Sequence, residues 1–84
     1  MQLKITTTNG ETNTYRITPA IEVAFEKQMK GGFGKIFREN ERSEDLYWLA
    51  WEAQRRSGKI VPPFGDTYLE TLEAVELVDD DPNG

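Results

Sequence analysis

With 84 residues, 37% of them hydrophobic and 30% charged, and a net charge of −5, the sequence is sized for one small globular domain and is too short for two. No apolar run approaches the roughly 18 residues that cross a bilayer, and the N-terminus lacks the basic-then-apolar order of a secretory signal. Having neither cysteine nor histidine, the chain offers no disulfide framework, few zinc ligands and none of the commonest nucleophilic and acid–base groups; the lack of cysteine fits a reducing cytoplasm.

Residues 1–17 read as a β-hairpin. Leu3 and Ile5 alternate with polar residues, as do Tyr15 and Ile17, and Asn9-Gly10 lies between them. A two-residue Asn-Gly turn would pair Ile5 with Thr14 and put the apolar residues of the two strands on opposite faces. A three-residue loop, Thr8-Asn9-Gly10, pairs Leu3 with Tyr15 and Met1 with Ile17. It also places Gly10 at the left-handed position that follows a type I turn. The second register gives the hairpin one apolar face and is the one expected.

Thr18 is placed to cap a helix with Pro19 at its first position. Ile21, Ala24, Phe25 and Met29 form its stripe, and Gly31-Gly32 should end it. In the joint 31–42, three glycines suggest flexibility, whereas Phe33, Ile36 and Phe37 suggest docking on the core as one short helical turn. Ser43 reads as the cap of the next helix. Glu44 and Asp45 lie near its positive end, Arg55 and Arg56 in its last turn, and Gly58 after it. A loop stiffened by Pro62-Pro63 leads to Asp66, the expected cap of a last helix to about Leu77, with Tyr68, Leu69, Leu72 and Val75 buried. The resulting fold class is α+β: an N-terminal β-hairpin packed against about three α-helices. It forms a single domain over residues 1–78, with residues 18–78 as the helical part and 79–84 as an acidic flexible tail.

Charge is unevenly spread. Residues 1–59 hold all ten Lys and Arg against eight acids, while residues 60–84 hold seven acids and no base. The acidic quarter argues against nucleic acid at that end and suits solubility or a basic partner. Lys27, Lys30, Lys35 and Arg38 interleave with Phe33 and Phe37 in the manner of single-strand binders, but Glu26, Glu39 and Glu41 dilute the patch. Asp79, Asp80 and Asp81 are consecutive on a tail and do not have calcium-loop spacing. Gly31 to Lys35 lacks phosphate-loop spacing and follows a helix where that motif follows a strand. No metal or other cofactor is indicated, and the reading is not that of an enzyme.

The aromatic helix is the most informative stretch. At about 100° per residue, Leu46, Leu49, Ala50 and Ala53 share one face, with Tyr47 and Trp51 on its flank. Trp48 falls with Glu44, Glu52 and Arg55. It is either an exposed anchor of the kind enriched at binding hot spots, or is covered by the loop of Phe33 and Phe37 or by Pro62-Pro63-Phe64.

The order of Phe25, Phe37-Arg38 and the run from Glu44 to Ala53, EDLYWLAWEA, resembles the small tail assembly chaperones of long-tailed bacteriophages. The likeness continues through Arg55 to Gly58, Pro62 to Gly65, Tyr68 to Leu72, Val75 to Leu77 and the acidic Asp-Pro tail. It covers roughly residues 20–82. It implies a non-enzymatic protein that binds the tape measure protein, helps recruit tail tube subunits, and acts in the cytoplasm of the infected host. Many such chaperones are made in two lengths by ribosomal frameshifting, and a chain ending in this tail would suit the shorter form. The resemblance transfers no known binding residue. Chemistry and expected exposure select Trp48, Tyr47, Arg55, Arg56, Phe33, Phe37, Pro62, Pro63 and Phe64 as partner-binding candidates. Self-association would raise avidity along one long partner. The alternatives are a head–tail connector or minor tail component, and a small nucleic-acid-binding regulator.

Overall fold

The computed structural model describes residues 1–30, 32–33 and 43–78. Its elements are β1 (Gln2–Thr7), β2 (Thr12–Arg16), α1 (Pro19–Met29), α2 (Ser43–Arg56), α3 (Asp66–Leu69) and β3 (Leu72–Val78), an α+β arrangement in which helices pack on one face of an antiparallel sheet ordered β2-β1-β3.

The hairpin register is the one that keeps the apolar residues together. Leu3 pairs with Tyr15, and the Ile17 N–H donates to the Met1 carbonyl at 3.1 Å. Thr8-Asn9-Gly10 is the loop. Gly10 has φ +92°, a left-handed conformation that glycine adopts without a Cβ penalty. The Gly10 N–H closes the turn on the Thr7 carbonyl at 2.9 Å. Asn9 braces it from the side: its Oδ1 accepts from the Thr7 hydroxyl and from the Glu11 N–H.

The last helix ends much earlier than the periodicity predicts. After four residues α3 gives way to β3, which runs antiparallel to β1 with Ile5 opposite Val75 and Leu3 opposite Leu77. The cause is a β-bulge. Thr6 pairs with Ala74 but Thr7 pairs with Leu72, so Glu73 is the extra residue. The bulge puts Leu72 and Val75, three positions apart, on the same sheet face, where both pack on the core. A three-residue apolar spacing is also what a helix shows, so this bulged strand imitates helical periodicity. Thr71 marks the exit from α3, its N–H and hydroxyl both bonding the Tyr68 carbonyl. The hairpin is thus two strands of a three-stranded sheet, with β1 at its centre.

The helix ends follow local rules with three exceptions, one of them at α3, where Asp66 is the first helical residue and Gly65 holds the cap position. Thr18 caps α1, its hydroxyl accepting from the Ile21 N–H at 3.3 Å, and Pro19 is the first helical residue. The left-handed residue after α1 is Lys30, at φ +60°, and not a glycine. Ser43 is the first residue of α2 and not the cap before it. At the far end Gly58, at φ +95°, ends α2 as expected. The Lys59 N–H reaches back to the Gln54 carbonyl and the Gly58 N–H to the Arg55 carbonyl, a Schellman pair of bonds.

Leu3, Ile5, Phe25 and Leu49 are essentially inaccessible and join Ile17, Ile21, Phe33, Trp48, Ala50 and Ala53 in one core between sheet and helices. No described helix is long and apolar enough to cross a membrane.

Candidate protein-binding groove

Helix α2 is covered on more than its apolar stripe. Leu49, Ala50 and Ala53 face the core as the spacing predicts, yet Asp45, Trp48, Glu52 and Gln54 are buried as well. Trp48 retains 9% of its surface, so the exposed-anchor reading of this residue is corrected. A helical wheel assigns one face to the core, whereas α2 is packed from two sides. Phe25 of α1 lies edge-on to Trp48 with centroids 6.0 Å apart. Phe33 stands edge-on to Phe25 at 5.3 Å, its N–H bonded to the Glu26 carboxylate at 2.9 Å. Phe33 is therefore also a core residue and not an exposed contact. Ile36, Phe37, Lys35, Arg38 and Asp79 to Asp81 lie outside the described residues.

On the other side the rings continue as a chain. Trp48 meets Trp51 at 6.0 Å, Trp51 meets Phe64 at 6.1 Å, and Phe64 meets Tyr68 at 6.2 Å. Edge and tilted ring pairs of this kind add about 0.5–1.5 kcal/mol each beyond area burial. The Trp51 indole N–H donates to the Pro62 carbonyl at 2.8 Å, and the Arg55 guanidinium lies 5.4 Å from the Trp51 ring centroid. The Pro62-Pro63-Phe64 turn is thereby fastened to α2. Pro62 and Phe64 are half-buried and Pro63 is exposed; Tyr47 is half-buried.

Two polar features fix the end of α2. The Glu52 carboxylate accepts from Arg55 Nη2 at 2.8 Å and Arg56 Nε at 2.6 Å. Burial pushes its pKa up, but the hydrogen bonds and charges of Arg56 and Arg55 outweigh it and hold the carboxyl below its ordinary value. The two arginines named as contact candidates thus have a structural task, although both side chains keep about half their surface in solvent. Tyr68, 1% exposed, donates its hydroxyl to Gln54 Oε1 at 2.6 Å. Burial, and secondarily the nearby Tyr15, raises its pKa.

The structure brings Trp48, Trp51 and Phe64 together with Met29, Gln28 and Glu44 around a groove of about 410 Å³. Four of its six lining residues are large and apolar, and the polar two are Gln28 and Glu44. Among the described residues no group of three or more acidic side chains is placed to hold a metal. The groove can receive apolar side chains of another chain. Met29 was missed as a site residue because its stripe assigned it wholly to the core. Ile60, exposed at 98%, sits in a loop, where an apolar residue carries no periodic signal.

Comparison with protein-family models, characterised proteins and solved structures returned no match.

Proposed function

We propose that this chain is a tail assembly chaperone of a long-tailed bacteriophage, a non-enzymatic protein that binds the tape measure protein and helps recruit tail tube subunits in the infected host's cytoplasm. One observation carries the reading: Trp48, Trp51 and Phe64, drawn from two of the stretches that carry the resemblance, line one groove. Such a groove takes apolar side chains from a helical partner, as helix-in-groove recognition does. The contact surface then centres on the outer parts of Trp51 and Phe64 with Met29, Tyr47 and Pro63, while Trp48 and Phe33 support it from below. Arg55, stacked on Trp51, adds a cation at its rim.

The test is co-expression with the tape measure protein encoded beside this chain. Co-purification, and a tape measure kept soluble only in the presence of this protein, are expected. Failure of both sinks the proposal. Mass spectrometry of purified virions separates the connector alternative, because a chaperone is absent from the finished particle and a connector is present.

A further inference from the structure

We propose that the outward face of α1 is a second docking site, one that takes an acidic amphipathic helix of a partner protein. Pro19, Ala20, Val23 and Ala24 floor a groove of about 500 Å³ whose remaining lining residues are Lys27 and Arg56. Arg56 also lines a neighbouring groove of about 330 Å³ with Tyr15, Arg16 and Ile21. The two grooves adjoin at Arg56 and, taken together as one track, have an apolar floor with Arg16, Arg56 and Lys27 along it.

Charge selects the occupant. The chain as a whole is acidic, at −5, yet this track is lined by three cations and no carboxylate. Arg56 gives its Nε–H to Glu52, whereas Arg16 and Lys27 form no ion pair among the described residues. The acids of α1 are elsewhere: Glu26 bonds the Phe33 N–H, and Glu22 falls outside the 20-23-24-27 stripe. Apolar character selects a protein over a nucleic acid. Val23 holds half of its surface in water, and phosphate binding gains nothing from a valine. The floor's shape selects a helix. Ala20 and Ala24 are four residues apart and low in profile, so a second helix can approach closely. The 11 residues of α1 span about 16 Å, three turns of such a partner. The site shares no lining residue with the aromatic groove and does not require a tape measure partner.

The probe is a short helical peptide with leucine and alanine on one face and glutamates along both flanks, titrated into the isotope-labelled full chain. Amide shifts are expected at Arg16, Ala20, Val23, Lys27 and Arg56, and binding should weaken with added salt. Val23→Asp and Lys27→Glu should each weaken it about tenfold. Both positions are solvent-facing, and unchanged circular dichroism verifies the fold; Arg16→Glu supplies an independent charge reversal should V23D misfold. The proposal is overturned if the acidic peptide leaves these amides unmoved, or if the three variants bind as tightly as the parent. It is also overturned if the same peptide with lysine in place of glutamate, or a single-stranded oligonucleotide, perturbs the track equally.

Discussion

The indole N–H of Trp51 donates to the Pro62 carbonyl at 2.8 Å, joining the middle of the aromatic helix to a turn eleven residues further along. This bond, together with the Trp51–Phe64 contact, lets a loop form one wall of the groove. Trp51→Phe keeps a ring but removes the donor and part of the packing volume. The expected cost is about 1–3 kcal/mol in a urea titration. Limited proteolysis should also show earlier cleavage between Gly58 and Gly65, and a variant that cleaves no faster would show that the loop is held by other contacts.

Glu52 gives a pH dependence with a definite sign. Its carboxyl is held below the ordinary value by Arg56 and Arg55 against the opposing effect of burial. The charged form is therefore favoured by folding. Its contribution is fully present above the unfolded-state pKa of about 4.3 and is lost as pH falls through the lower folded value. Glu52→Gln should cost about 1–3 kcal/mol near neutrality through lost charge-assisted bonds. That gap should narrow as the solution is acidified, because the parent then loses the same charge. A gap that stays constant down to strongly acidic pH would contradict this account.

Much of the fold was legible because it is local. Thr18-Pro19 announces a helix start, Gly58 a helix end, and the alternation of Leu3, Ile5, Tyr15 and Ile17 allows only one register that keeps a single apolar face. What escaped is long-range. Nothing near Leu72 says that β1 takes a second strand on its free edge, and the bulge at Glu73 gives the strand helical spacing. Trp48 was illegible for a related reason. Its own helix assigns it to the charged side, and Phe25, far away in sequence and itself backed by Phe33, lies edge-on against it there. The paired roles of Glu52, Arg55 and Arg56 follow i,i+3 and i,i+4 spacing and were available in principle, but burial was needed to show that the pairing is structural.

Tyr68 and Gln54 form the polar tie between α3 and α2, both of them buried. Tyr68→Phe leaves the buried Gln54 oxygen without its donor, at an expected cost of about 1–3 kcal/mol. Burial raises the phenol's pKa, so folding favours the neutral form. The contribution is fully present below the ordinary pKa of about 10 and fades as pH rises toward the higher folded value. Spectrophotometric titration should show one tyrosine that ionises only on alkaline unfolding, and that step should vanish in the Phe variant. If Tyr68 ionises near the ordinary value in the folded protein, it is not shielded as described.

The two tryptophans should respond differently to solvent, and the difference tests which part of the aromatic chain faces a partner. Trp48 is 9% exposed beneath Phe25, whereas Trp51 is half-buried between Phe64 and the Arg55 guanidinium. Single-tryptophan proteins separate the signals: Trp51→Phe reports Trp48, and Trp48→Phe reports Trp51. Acrylamide should quench Trp48 weakly and Trp51 several-fold more strongly. Trp48→Phe should also cost about 1–3 kcal/mol, since it removes ring volume from a packed site. When a tape measure segment occupies the groove, Trp51 quenching should fall toward that of Trp48, with a change in emission wavelength as water leaves the ring. Trp48 should change little, because Phe25 and Phe33 already exclude water from it. A partner that shields Trp48 and leaves Trp51 accessible would place the contact on the α1 side of the helix and refute the groove as the binding surface.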